Sequence, residues 1–288
     1  MNDWVALGRK IRIHPLFWLV AAASIAIAQF QELLILFAIV MVHEMGHATA
    51  AHFFSWRIRK IVILPFGGVA ETDEHGNRPL KEELIVTIAG PFQHVWIGLC
   101  AYLLHQAQVL PPGLYGQIME ANLTVLLFNL IPVWPLDGGK IMNLAFSMYL
   151  PFLKAFRLTV YSSLAALLVF HCTALWLTPA NLSIWAVVLY LYVSLWKEWK
   201  QLYFVFMRFL LERYYGKGDP LRYLKTLQVE GNAYLYEVLE NFKRGCKHPL
   251  IVLQNGIEIG QLDENELLHA YFSEKQTHAK VKDIMYSY

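Results

Sequence analysis

Six stretches of this chain, roughly 13–30, 33–54, 82–106, 114–132, 155–177 and 182–204, stay apolar over about the 20 residues that a helix needs to cross a bilayer. No other feature constrains the fold as tightly. Inside hydrocarbon, a backbone must satisfy its own hydrogen bonds, so only helices and closed barrels can span it. These runs are twice the length of a barrel strand, which leaves helices. Composition agrees: 57% of the 288 residues are hydrophobic and 16% charged, against about 25% charged in a soluble domain. The deficit is confined to residues 15–205, and from about residue 212 the chain reads as soluble sequence. The expected architecture is therefore an α-helical polytopic membrane protein. It has six transmembrane helices in residues 1–205, a linker over 206–222 and a small α/β cytosolic domain over 223–288.

Flanking charge supplies the orientation. Arg9, Lys10 and Arg12 precede the first stretch, Arg57, Arg59 and Lys60 follow the second, and Lys81 precedes the third. Lys140, Lys154 and Arg157 lie between the fourth and fifth, and Lys197, Lys200 and Arg208 close the sixth. The alternate connections near 29–32, 105–113 and 178–181 hold no Lys or Arg. By the positive-inside rule both termini are cytoplasmic in a cell membrane. The first stretch shows no small-residue cleavage site and is expected to be retained. A net charge of +2 without a basic, aromatic-interleaved patch excludes nucleic acid as a partner. Cys100, Cys172 and Cys246 lie far apart, with neither metal-ligand spacing nor a disulfide framework, which suits a reducing compartment for the tail.

Two segments interrupt the helical pattern. Residues Ile61 to Ala70 are β-branched and then broken by Pro65, Gly67 and Gly68, which predicts a re-entrant β segment. An exposed strand edge at Ile61–Leu64 would be able to take up an extended peptide by strand addition. The second break, Asn129 to Gly139, carries Pro132, Pro135 and Gly138-Gly139 and ends the fourth span.

The chemistry lies at these depths. His43 and His47 stand four apart in the second span, so both imidazoles leave one helix face and can share a metal. Glu44 adjoins the first and can serve as general base. Three ionisable groups within a span each cost at least about 2.5 kcal/mol unless a cavity or metal takes them up, which favours a site over packing. Gly46 weakens the helix slightly and allows close approach of a neighbouring backbone. A catalytic zinc takes three protein ligands, so a third is required. Asp137, at a broken helix end, is the candidate; the alternative is an N-cap for a helix starting near Lys140. Gly138 and Gly139 would then let the backbone turn the carboxylate inward.

Taken together, His43-Glu44-Met45-Gly46-His47 and Asn129-x-x-Pro132-x-x-x-x-Asp137-Gly138 resemble the two-motif signature of the site-2 proteases, the intramembrane zinc metalloproteases. The resemblance implies one Zn2+ per chain on His43, His47 and Asp137, with Glu44 as catalytic base. It also implies a substrate-binding role for Ile63, Phe66, Gly67, Asn129 and Pro135. Phe66-Gly67-Gly68 and Ala89-Gly90-Pro91 look like further family features. Where relatives often carry Asn after that Gly-Pro, this chain has Gln93 and His94, and His94 reads as a helix-packing residue.

In the tail, a helix start at Tyr234–Leu239, a strand at Pro249–Leu253, a turn and second strand at Gly256–Gly260 and a helix at Glu264–Ala270 are similar to a single CBS domain. CBS domains sense nucleotides and usually work in pairs. The resemblance therefore implies ATP or another adenine nucleotide as regulator and a homo-oligomer through CBS pairing. Site-2 proteases ending in such a domain form a recognised subgroup, and over its whole length the chain most resembles a sporulation protease of that family, one that processes an inactive sigma-factor precursor. That implies a protein substrate, inhibitory membrane partners and residence in a membrane surrounding the forespore. Competing expectations are a CBS-regulated metal transporter and a non-catalytic scaffold. A prenyl-protein type of membrane protease, with a downstream glutamate as third ligand, fits the Asn129–Gly138 segment poorly.

Overall fold

The computed structural model describes residues 11–13, 18, 30–64, 67–72, 78–216 and 223–285. Five long helices lie at the places of the last five apolar stretches: α1 (Phe30–Phe53), α2 (Leu80–Gln106), α3 (Pro112–Asn129), α5 (Phe152–Leu177) and α6 (Leu182–Tyr215). Between them sits the shorter α4 (Asp137–Tyr149). Of the first expected span, 13–30, only Ile13, Trp18 and Phe30 are described; the rest lies outside the described residues. Among the described residues, α1, α2 and α5 are long and apolar enough to cross a membrane. Their outward faces carry large apolar side chains in the open, such as Val95, Trp96, Leu99 and Leu103 on α2 and Leu164, Leu168 and Leu175 on α5. In water such faces would be sites of association; against lipid tails they are at no disadvantage.

The chain forms two compact units. The first comprises residues 1–74, 81–141 and 163–192. It contains a three-stranded sheet in the order β1 (Ile11–Ile13), β2 (Ile58–Leu64), β3 (Gly67–Thr72), with β1 parallel and β3 antiparallel to β2. This corrects one expectation. Ile61–Leu64 is no exposed edge, because Ile61, Val62 and Ile63 pair with Ile11, Arg12 and Ile13 on one side and with Ala70, Val69 and Gly68 on the other. Among the described residues the sheet's open edges belong to β1 and β3. Both β2 and β3 lie against α1, the helix that carries the His-Glu pair.

The second unit comprises residues 75–80, 142–162 and 193–288. Its sheet runs β4 (Leu227–Glu230), β5 (Leu250–Gln254), β6 (Ile257–Leu262), with β4 parallel and β6 antiparallel to β5. Helices α7 (Leu235–Leu239), α8 (Glu264–Phe272) and α9 (Val281–Met285) pack on it. The β5–β6 turn follows from Asn255-Gly256, whose φ values of 53° and 80° are the left-handed pair that a two-residue hairpin demands. Asp263 starts α8 by accepting from the Asn265 N–H while Glu266 accepts from the Asp263 N–H, a reciprocal cap. Leu235, Leu239, Leu250, Leu267 and Leu268 are fully buried around these elements, joined by Phe206 and Phe209 of α6. Helix α6 thus continues unbroken through residues 206–215, where a linker was expected.

Arg213, in the last turn of α6, ties that helix to the start of α8 and to the loop that leads into β5. Its Nε and Nη2 donate to the two Glu264 oxygens at 2.6 and 2.7 Å, and the His248 N–H donates to Glu264 at 2.8 Å. Burial would raise the Glu264 carboxyl, but contacts with His248 and the Arg213 guanidinium outweigh it and bring it down to about 2. A carboxyl depressed in the folded state stabilises above its ordinary value of 4.5 and loses that contribution as pH falls to about 2. Hydrogen-exchange protection of the β5 amides should therefore decline across that window in the wild type. In Glu264→Gln, which strands a buried guanidinium at a cost of about 3–5 kcal/mol, protection should already be low at neutral pH.

Candidate metal centre

Three elements deliver the site. On α1, His43, Glu44 and His47 are all buried, at 2%, 5% and 6% exposure. The 3.6-residue period puts the two histidines one above the other, with ring centroids 4.7 Å apart. Asp137, 3% exposed, opens α4. Its Oδ2 lies 3.1 Å from His43 Nε2 and 3.1 Å from His47 Nε2, and the two Nε2 atoms are themselves 3.1 Å apart. Three potential ligand atoms thus form an equilateral triangle.

That triangle suits a metal on two grounds. Zinc–nitrogen and zinc–oxygen bonds near 2.0–2.2 Å place tetrahedral ligand atoms roughly 3.3 Å apart, close to the 3.1 Å observed. The electron pairs say the same. His47 Nδ1 lies 2.7 Å from the Val86 carbonyl oxygen, which can only accept, so Nδ1 carries a proton and, in the neutral ring that can ligate a metal, Nε2 keeps its lone pair. A lone pair facing a carboxylate oxygen in a buried site is repulsive unless a proton or a metal cation lies between them, and this trio of atoms is placed to hold a metal ion. Asp137 Oδ1 is held separately by Lys140 Nζ at 3.2 Å, so a single oxygen, Oδ2, faces the histidines. The helix begins at Asp137 rather than near Lys140, and the side chain is turned to His43, His47 and Lys140.

Helix α2 backs the pair through one stripe, Val86, Gly90 and His94, spaced four apart. A Cβ added at Gly90 would fall inside the His47 imidazole. Gly46 faces the other way: its Cβ would come within 2.5 Å of the Ala89 carbonyl and 2.6 Å of Gln93. Close approach of a neighbouring backbone, the reason expected for Gly46, is what the structure places there. Gly138 and Gly139 need a different reason. Neither has positive φ; they are glycine because their missing Cβ atoms would strike the Leu130–Trp134 backbone that folds over the start of α4. The carboxylate is aimed by that close packing, not by an unusual backbone turn.

Other expected site residues fall variously. Asn129 ends α3, is half-buried and donates through Nδ2 to the Val125 carbonyl at 3.0 Å. Pro135 is half-buried just before the metal-site aspartate, within a turn whose Val133 and Leu136 are buried against Leu167 and Leu191. Ile63 and Gly67 sit in β2 and β3 beside α1, and Phe66 lies outside the described residues. Gln93 donates to its own helix at Ala89 O, 3.1 Å. His94, expected to be a packing residue, instead approaches His43 Nδ1 with its Nε2 at 3.1 Å. His94, Lys140 and Gly90 were not assigned to the site from sequence; the four-residue spacing of Gly90 and His94 on a helix adjoining the ligand pair was the available signal.

Comparison with known proteins points to the family of zinc metalloproteases. Residues 31–118 match the family model described as peptidase family M50. Stage IV sporulation protein FB of Bacillus subtilis is 46% identical over 288 residues, spanning 100% of both chains. A zinc metalloprotease of Methanocaldococcus jannaschii is 32% identical over 157 residues, 54% of this chain and 42% of that one. Among solved structures, the site-2 protease from Methanocaldococcus jannaschii superposes with a TM-score of 0.54 at 28% identity, covering 65% of this chain and 89% of the other.

Proposed function

Because this chain belongs to the site-2 protease family of zinc metalloproteases, peptidase family M50, we propose that it cleaves a membrane-associated precursor protein within or near the bilayer, at a zinc held by His43, His47 and Asp137. The observation that carries the proposal is the buried triangle of His43 Nε2, His47 Nε2 and Asp137 Oδ2, each 3.1 Å from the others. Family membership decides against the transporter and scaffold readings. When bound, zinc polarises the scissile carbonyl and makes water acidic enough to be activated near neutral pH. Glu44, one residue from the first ligand and buried beside it, takes a proton from the attacking water and passes it to the amide nitrogen as the C–N bond breaks.

A helical substrate shields its peptide bonds, so the segment to be cut has to unwind. An open strand edge of β1 or β3 would offer it backbone partners, and Ile63, Phe66, Gly67, Asn129 and Pro135 are the residues proposed to bind it. The chain is a multi-pass membrane protein; six spans with both termini cytoplasmic are supported by the alternation of basic and uncharged connections. The full-length likeness to a sporulation protein supports a sigma-factor precursor as substrate and a membrane around the forespore as location, with inhibitory membrane proteins as further partners. The strand–helix–strand–strand–helix order of β4, α7, β5, β6 and α8 supports a single CBS-type regulatory unit over residues 223–288. Such a unit would bind an adenine nucleotide and pair with a second copy.

The test uses the full chain in detergent or co-expressed with a membrane-anchored precursor. Wild type should carry one zinc per chain and release a shortened product, while His43→Ala and Asp137→Ala should lose both. Cleavage that survives in Asp137→Ala would overturn the assignment.

A further inference from the structure

Behind His43 stands a chain of polar groups that belongs to neither family motif. His94 on α2 and Asn122 on α3 are buried at 2% and 6% exposure. They lie beside an apolar cluster of Ile39, Val40 and Val125. Asn122 Nδ2 donates to the His94 carbonyl at 3.0 Å, which fixes the amide's orientation because a carbonyl can only accept. Its Oδ1 therefore faces His94 Nδ1 at 2.8 Å, and since an amide oxygen cannot donate, Nδ1 bears the proton. In the neutral ring His94 Nε2 then keeps its lone pair, 3.1 Å from His43 Nδ1, which donates to it. His43 Nε2 is then a lone pair aimed into the triangle. Each direction follows from the one before, starting at a backbone carbonyl.

We propose that Asn122 and His94 are positioning residues for the zinc site, holding His43 in the single tautomer and ring orientation that can ligate the metal. The proposal rests on the zinc reading above. His47 receives the same service from the Val86 carbonyl, a backbone atom that no side-chain substitution can remove. For His43 the task falls to side chains, so it can be tested. With both ring nitrogens engaged, His94 acts through His43 and not on the substrate. Metal-ligating histidines elsewhere depend on such outer partners, whose loss costs about 10–100-fold in metal affinity.

The test measures zinc affinity by chelator competition on the full chain in detergent, together with the thermal midpoint of the metal-free protein. Asn122→Leu keeps the volume but removes the acceptor; His94→Phe keeps the ring but removes Nε2. Both should bind zinc about 10–100-fold more weakly with the metal-free midpoint close to wild type. Asn122→Asp, which keeps an oxygen for His94 Nδ1, should stay within a few-fold of wild type. Wild-type affinity in Asn122→Leu and His94→Phe would overturn the proposal. So would equal losses in Asn122→Leu and Asn122→Asp, or a collapse of the metal-free midpoint in both apolar variants, either of which would mark the pair as packing. Absence of zinc from the wild-type protein would instead refute the zinc reading itself, so the two failures are distinguishable.

Discussion

Glu44→Gln is expected to abolish precursor cleavage while leaving one zinc on the chain. Gln has the size of Glu and fits the same buried place on α1 (5% exposed for the native residue), but its amide cannot take a proton from water and return it to a leaving amine. General acid–base catalysis of this kind supplies on the order of 10²–10⁴-fold in rate. Neither His43, His47 nor Asp137 changes, and the 3.1 Å triangle does not include Glu44, so zinc content should match wild type. Product formation from co-expressed precursor, read beside metal stoichiometry, separates the base from the ligands. Wild-type cleavage by Glu44→Gln would remove the proposed role.

Gly90→Ala should be as damaging, through a single methyl group. Its Cβ would overlap the His47 ring atoms Nε2, Cε1 and Cδ2. The ring can retreat only by swinging away from the triangle and giving up the 2.7 Å tether of its Nδ1 to the Val86 carbonyl, on the same helix as Gly90. Intrinsic propensity works the other way, favouring Ala over Gly in a helix by about 1 kcal/mol, and overpacking costs about 1–3 kcal/mol. The metal-free protein should therefore fold with a stability near wild type. Zinc affinity should fall by at least about 100-fold, beyond the usual loss of an outer partner, since a ligand itself is displaced. Gly116→Ala on α3, where an added Cβ meets nothing within 4 Å, is the control and should be silent. A Gly90→Ala protein with one zinc and full activity would show that α1 and α2 are not packed as described.

Much of this was legible from residue order because it is local. The apolar stretches marked α1, α2, α3 and α5 within a few residues, and the start of α6, since helix length is set by bilayer thickness and backbone self-sufficiency. Asn255-Gly256 and the Asp263–Glu266 cap could be read the same way. The strand at Ile61–Leu64 was legible as a strand, but its place in the sheet was not. Whether a strand is central or at an edge depends on a partner such as Ile11–Ile13, some 50 residues away. The continuation of α6 to Tyr215 was likewise hidden, because Phe206, Phe209 and Arg213 find their partners in the second unit rather than in neighbouring sequence.

At the centre itself the division is the same. The sequence by itself determined that His43 and His47 share one face of a helix with Glu44 beside them, because four residues are close to one helical turn. It also singled out Asp137 as a candidate third ligand. Only the tertiary structure decided which atom of each group faces the proposed zinc position. That choice lies with Val86, His94 and Lys140, which hold the far side of His47, His43 and Asp137. Val86 and His94 are 39 and 51 residues from the ligands they serve, and only packing of α2 against α1 brings a carbonyl, a missing methyl and an imidazole to bear on them. A proton on the wrong nitrogen would leave the motif intact and the site unable to bind metal.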